Sequence, residues 1–421
     1  MIKLFKSKLN SKDQPIQDID DSEYFYVPLA AHKGKPAISI VNIGQSVKKY
    51  QKIGMADGDF SANIHSPVSG YISAIEEVLL PQGSASLSIV IKNDYQNNSI
   101  DINPATDQHN SENFADLLKE FGIVGAGGAQ FPTHIKYRLN GKKIKTFIIN
   151  GAECEPYLSA DYSIIKEYTK ELTDVFSLIN DLFKPDEIVL AIEKKHKDLI
   201  RKFRNLESSY TFPFRIKTLA DKYPQGSELQ LIKSVTGISM ARGIRPIEKG
   251  ILVNNAGTLL AIGNSLVTKR PVIDRIVTIS GDKIIKSGNY KIKIGTPVSH
   301  VIKVLGLDKI AAEKEIVFGG PMMGHKIVNL QTAVQSGTSG ILFLDKKVRT
   351  SHPCIQCGYC VDVCPMHLLP LEFAKAYENN DKQLFNKYHL DQCIECGACD
   401  YICPSNVPLI ESIKNGKMHI N

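Results

Sequence analysis

Long apolar runs are missing from this chain of 421 residues. The longest charge-free stretch, Gly250 to Thr268, is interrupted by Asn254, Asn255, Thr258, Asn264 and Ser265. Those amides and hydroxyls are costly in hydrocarbon, so no transmembrane helix is expected. The opening residues MIKLFKSKLNSKDQ carry lysines but no apolar core and no small-residue cleavage site. No secretory leader is expected, and a cytoplasmic protein is expected, with any membrane association made through a partner. Charge of one sign is scarce: 51 Lys and Arg face 44 Asp and Glu, a surplus of +7 that suits an anionic cofactor without naming one. Cysteine is nearly absent from the first 350 residues, where Cys154 stands alone, while eight of the nine lie between Cys354 and Cys403. A disulfide framework would spread its cysteines through a small domain, so this crowding favours metal or cluster binding.

What is present is enough apolar surface for real cores. Hydrophobic residues make up 43% and charged residues 23%, which excludes disorder throughout. At roughly 150 residues per domain the length suggests about three domains. Residues 1 to 23 are polar and read as a loose arm. From 24 to 93, short β-like runs such as Tyr71-Ile72-Ser73-Ala74-Ile75 alternate with Gly turns and predict a small all-β unit. Asp94 to Asn113 reads as a linker. From 113 to 270 the pattern alternates strand and helix, with strands over Thr146–Ile149, Glu187–Ile192 and Arg215–Leu219 and helices over Asp161–Ile179 and Ser227–Val235. That alternation predicts an α/β layer domain with a mostly parallel sheet. Residues 271 to 345 read as an α+β unit, and 346 to 421 as a cysteine domain with a helical spacer from Leu371 to Tyr388.

The cysteine motifs are Cys354-x2-Cys357-x2-Cys360-x3-Cys364-Pro365 and Cys393-x2-Cys396-x2-Cys399-x3-Cys403-Pro404. Three thiolates two residues apart wrap one corner of a cubane, and Gly358 and Gly397 let backbone N–H groups approach sulfur. A pair of zinc sites is the alternative, but zinc has no use for the third cysteine or for the fourth with proline behind it. Two 4Fe–4S clusters are expected.

A glycine-rich segment, Gly122-Ile-Val-Gly125-Ala-Gly127-Gly128-Ala-Gln130, leads to Lys136. Bare backbone N–H groups can cradle a phosphate there, with Lys136 as a point charge, although such loops are often only tight turns. The segment Asn150-Gly-Ala-Glu153-Cys154-Glu155-Pro156 follows an apolar strand, where ligands sit in open α/β sheets. Cys154 itself reads as a small buried filler.

These two segments, with Tyr223-Pro-Gln-Gly226-Ser-Glu228 and Val253-Asn254-Asn255-Ala-Gly257-Thr258, resemble the flavin-binding elements of the NADH-oxidising flavoprotein subunit of respiratory complex I. Over nearly the whole chain the sequence resembles the RnfC family, a component of Rnf-type electron transport complexes. KYPQGSELQLIKSVTG, Gly319-Gly-Pro-Met-Met-Gly324, both cysteine motifs and Cys403-Pro-Ser-Asn-Val-Pro-Leu409 fall in that family's order.

The resemblance implies a multidomain α/β and α+β fold. Its parts are a barrel-sandwich hybrid domain, a Rossmann-like FMN/NADH-binding domain, a soluble-ligand-binding β-grasp domain and a two-cluster ferredoxin-like domain. It implies FMN, two 4Fe–4S clusters and NADH/NAD+ as substrate. Gly125, Gly127, Gly128 and Lys136 would face phosphates. Asn150, Glu153, Glu155, Glu228, Asn254 and Asn255 would line flavin and nicotinamide, with Glu155 and Glu228 as the catalytic pair. Gln130 stands where the family loop has glycine.

All eight cysteines, Cys354, Cys357, Cys360, Cys364, Cys393, Cys396, Cys399 and Cys403, would be ligands. The likeness to two-cluster ferredoxins implies that each fourth cysteine serves the other motif's cluster. The implied role is a peripheral subunit on the cytoplasmic side of the inner membrane, in a complex coupling ferredoxin and NAD chemistry to ion transport. Its partners would be the other subunits and ferredoxin, with no nucleic acid. A soluble relative feeding a reductase such as proline reductase is the alternative.

Overall fold

The computed structural model describes residues 1–4, 11, 12, 14–100, 110–346 and 349–418. The first unit is a sandwich of two antiparallel sheets. One has the strand order Tyr24–Pro28, Ala85–Asn93, Gly70–Leu79, Ser46–Val47; the other has Ile38–Ser39, Lys52–Met55, Ile64–His65. Alternation decides which residues point inward. Phe25 and Val27, opposite Ile91 and Ile89, are all fully buried between the sheets. Residues 94–100 return onto this unit through a bridge from Ser99 to Lys49. The middle of the expected linker, residues 101–109, lies outside the described residues.

The second unit is a four-stranded, wholly parallel sheet in the order Phe214–Leu219, Glu187–Glu193, Thr146–Gly151, Ile251–Asn255. Its strands are apolar on both faces because helices cover both. All but the first residue of Glu187–Glu193 are buried. The helix expected over Asp161–Ile179 is two helices, Ala160–Glu167 and Thr169–Phe183. Helix Ala256–Thr268 packs so closely on the second of these that a Cβ at Gly263 would stand 2.3 Å from Val175. Chain order places Thr146–Gly151 first, two strands on one side of it and Ile251–Asn255 on the other. The order in which the chain adds strands therefore reverses between Thr146–Gly151 and Ile251–Asn255, with all strands still parallel.

The third unit has the β-grasp arrangement. Hairpin Asp274–Gly281 and Gly288–Lys293 flanks a central parallel pairing of Asp274–Gly281 with Gly340–Leu344, which pairs antiparallel with Glu315–Phe318. Helix Val298–Leu305 lies across it through Val298, Val301, Ile302 and Leu305.

The N-terminal arm differs from the loose segment expected. Gln17–Asp18 adds a parallel strand beside Tyr290 and Lys291, Leu4 and Ser11 are buried, and Ile2 exchanges backbone hydrogen bonds with Tyr223. Its polar sequence hid this because the arm is held by backbone groups and borrows its apolar surroundings from other units.

The cysteine unit is built on Pro370–Glu378, Lys382–Lys387 and Leu409–Met418. The expected single spacer helix breaks at Asn379–Asp381, where Asn380 has a left-handed φ of 53° and Asp381 caps the second helix. Phe373, Phe385, Leu390 and Ile413 form its core.

Candidate functional site

The reversal point of the parallel sheet is where open α/β sheets bind ligands, at the carboxyl ends of the strands. Asn255 lies opposite Asn150 in the register there. Asn255 caps helix Ala256–Thr268, its Oδ1 accepting from the N–H of Gly257 at 2.9 Å and Thr258 at 3.4 Å. Asn150 accepts from Ala152 N–H and donates to the Gly226 carbonyl at 2.9 Å, binding the 223–228 loop to the strand end. Asn254 turns the other way, into the domain, and donates to the Tyr137 hydroxyl at 2.8 Å.

The glycine loop crosses this crevice beside the helix N-terminus. Ala126 N–H donates to Thr258 Oγ1 at 2.9 Å, and Gly125 N–H to the Phe131 carbonyl at 2.8 Å. A Cβ at Gly127 would meet only Asn255 Cβ, at 3.7 Å, and one at Gly128 would meet nothing within 4 Å. The two glycines thus leave an open cradle of backbone, next to the positive end of a 13-residue helix. Gly128 has φ +86°, and Gln130 adopts φ +48°, so Gln130 takes the backbone conformation a glycine would. Its side chain turns away to Gln335 at 2.9 Å.

Arg275 was not foreseen. It is buried behind the loop and donates to the carbonyls of Ala126, at 2.9 Å, and Ser336. Burial pulls its pKa down to about 10, while the charges of Asp161 and Glu153 act the other way. Its signal was a lone cation in the apolar strand Asp274–Gly281. Replacing Arg275 with methionine should destabilise the protein by about 3–5 kcal/mol, because both carboxylates lose their buried counter-charge. Equilibrium urea unfolding measures this, and a loss under about 1 kcal/mol would contradict it.

The expected acids have specific partners. Glu153 is buried, and its Oε1 accepts from Asp161 N–H at 3.3 Å. Asp161 in turn accepts from Asn255 at 2.7 Å. Glu155 spans units: its oxygens accept the N–H groups of Met322 at 3.0 Å and Met323 at 2.9 Å. Glu228 pairs with Lys136 at 2.8 Å, and Lys136 also donates to the Val253 carbonyl at 2.9 Å. Cys154 is buried and its Sγ accepts from Gly226 N–H at 3.4 Å.

In the last unit, Cys364, Cys393, Cys396 and Cys399 line one cavity. Phe373, Leu368 and Ile413 make the rest of its wall largely apolar. Burial, then Cys393 and Cys364, push the Cys396 thiol up to about 12, and Cys399 is raised by burial and the same neighbours. Four thiolates crowded there need a strongly cationic centre among them. Among the described residues no three His, Cys, Asp or Glu side chains converge enough to hold one metal ion. Four cysteine thiols lining one cavity are the donor set of a 4Fe–4S cluster. Backbone N–H groups approach sulfur as expected, at 3.4 Å for Gln356 on Cys354 and Glu395 on Cys393, and 3.3 Å for Leu368 on Cys364. Cys354 and Cys357 are exposed.

Family profiles match this layout unit by unit. The RnfC barrel sandwich hybrid domain matches residues 2–96, the Nuo51 FMN-binding domain residues 118–264 and the 4Fe-4S dicluster domain residues 353–407. The C component of the ion-translocating oxidoreductase complex of Haemophilus influenzae Rd is 34% identical over 98% of this chain. The chain belongs to the RnfC family of ion-translocating oxidoreductase components. The Vibrio cholerae O1 protein of the same name is 34% identical over 89% of the chain. This RnfC-family chain covers 51% and 50% of those two proteins, about half their length. A chain of an NAD+-reducing NiFe-hydrogenase superposes with a TM-score of 0.49 at 19% identity, covering 73% of this chain and 54% of that one. The RnfC cofactors are FMN and two 4Fe–4S clusters; the open glycine cradle fits a flavin phosphate and the thiol cavity fits one cluster. No helix among the described residues is long and apolar enough to cross a membrane.

Proposed function

We propose that the chain is the peripheral, cytoplasmic-side electron-transfer subunit of an ion-translocating ferredoxin:NAD+ oxidoreductase. Its working parts would be a flavin site at the sheet reversal and the two clusters. Bound flavin would supply the exchange between two-electron NAD(H) chemistry and one-electron cluster chemistry. The observation that carries this reading is the open Gly127–Gly128 cradle at the reversal point, in the same chain as the four-thiol cavity.

The chain's own residues bind and orient. Gly127 and Gly128 offer bare backbone N–H groups to a phosphate, and Asn255 fixes the helix N-terminus beside them. Gly125 closes the turn through Phe131. Lys136, already paired with Glu228, adds charge from below the loop. Hydride transfer needs no protein nucleophile, so Glu155 and Glu228 act by holding neighbours in place: Glu228 the Lys136 ammonium, Glu155 the Met322–Met323 turn. Glu153 compensates Arg275.

The test is anaerobic addition of NADH to protein loaded with FMN and iron–sulfur clusters. Flavin absorbance should bleach, followed by cluster absorbance. Clusters that bleach only with dithionite would refute the reading.

The same reading predicts where the protein is found. With its partner subunits it should sediment with membranes and be released by high salt or chaotrope, since docking is by protein contacts. Recovery in the supernatant beside intact partner subunits would favour the soluble-reductase alternative.

A further inference from the structure

The two sets of cysteines are not equivalent with respect to the flavin unit. The segments that carry Cys364, Cys393, Cys396 and Cys399 are fastened to that unit by side chains. Tyr223 is fully buried, and its hydroxyl donates to the carbonyl of Cys396 at 2.7 Å. Gln230 is buried and donates to the carbonyl of Pro365, next to Cys364, at 3.1 Å. Gly397 is pressed against the Met322 carbonyl, where a Cβ would stand at 2.8 Å, and Met322 is held by Glu155. Cys154, Tyr223, Cys396, Ala398, Val363 and Leu4 form one buried apolar cluster that joins the loop to the cysteine.

At the other end of this seam, Tyr223 shares a loop with Gly226, which is bonded to Asn150 at the sheet reversal and to Cys154. A short packed route therefore runs from the flavin crevice through the 223–226 loop to a cysteine of the enclosed cavity. By contrast, residues 351–359, with Cys354 and Cys357, are all exposed.

We propose that the cluster held by Cys364, Cys393, Cys396 and Cys399 is the one that exchanges electrons with the flavin, and that Tyr223 is the positioning residue that sets this contact. The proposal rests on the flavin site proposed above. Electron tunnelling falls steeply with distance and is faster through packed atoms than across a gap, so the fastened cluster is the near one. The exposed cluster is then the terminal one, facing a redox partner. A hydroxyl proton aimed at a ligand's carbonyl favours the more negative, reduced cluster, since hydrogen bonding near a cluster tunes its potential.

The experiment uses the full chain loaded with flavin and clusters, as parent, Tyr223→Phe and Tyr223→Ala. Flavin is reduced by light with a sacrificial donor, so the outcome does not depend on NADH oxidation. Freeze-quench electron paramagnetic resonance follows each cluster, assigned by Cys393→Ala and Cys354→Ala controls. In the parent, the signal lost in Cys393→Ala should appear first. Tyr223→Phe should retain iron and flavin and lower the midpoint potential of that cluster alone in a mediated titration. Tyr223→Ala should slow its reduction about tenfold or more. First reduction of the Cys354 cluster, or a Tyr223→Phe shift in the other cluster or in neither, would overturn the proposal. Failure of NADH to reduce the flavin while these results hold would instead overturn the proposed substrate.

Discussion

If each motif's fourth cysteine serves the other motif's cluster, Cys364→Ala is expected to abolish the cluster that Cys393→Ala abolishes and to leave about half the iron in place. The cavity already gathers Cys364 with Cys393, Cys396 and Cys399, and each of these three feels its charge. Cys360 feels Cys354 instead. The measurement is iron content with the resonance spectrum of each single variant. A Cys364→Ala spectrum matching Cys354→Ala would show ligation local to each motif. The stability effect should also be large. A cluster shared in this way would clip the segments before and after helices Pro370–Glu378 and Lys382–Lys387, and metal-binding free energy in such a unit is folding free energy.

The second large effect is expected at the glycine loop. Gly127→Leu should remove bound FMN altogether while leaving the flavin-free protein about as stable as the parent, within about 1 kcal/mol. The two outcomes separate because Gly127 does not have the left-handed backbone of Gly128, and its Cβ position is open apart from ordinary contact with Asn255. A Cβ there meets no protein atom it would have to displace, and the side chain would grow into the cradle proposed for the phosphate. Flavin released on denaturation, set against the thermal midpoint of the apoprotein, reads both. Unchanged flavin content would remove the phosphate role from this loop.

Much of this architecture was legible before any coordinates. The cysteine spacing, the strand–helix alternation from Thr146 to Val235 and the β-like run Tyr71–Ile75 are local patterns, and local patterns survive folding. The placement of Asn150 at a strand end was legible for the same reason, whereas the strand Ile251–Asn255 that sets Asn255 beside it was not foreseen. What escaped depends on residues far apart in sequence. The partners of Glu155, Met322 and Met323, lie more than 160 residues on. Arg275 reaches a loop 149 residues earlier. Gln130 departs from the family's glycine, and only its left-handed φ and its bond to Gln335 show how the loop keeps its course. Asn254 sits beside Asn255 in sequence, but the two point to opposite faces, so only one reaches the crevice.

The grip on the glycine loop carries a consequence for biogenesis. Lys33 of the first unit donates its N–H to the Gln130 carbonyl, Phe60 packs on Phe131 with ring centroids 5.4 Å apart, and Arg275 and Gln335 hold the loop from the far side. Contacts across such sequence separations form only after large loops have closed. During synthesis the loop cannot take its final course until Ser336, the last of its clasps, has left the ribosome. If this loop holds the flavin, its uptake would be a late event that waits on the docking of the units.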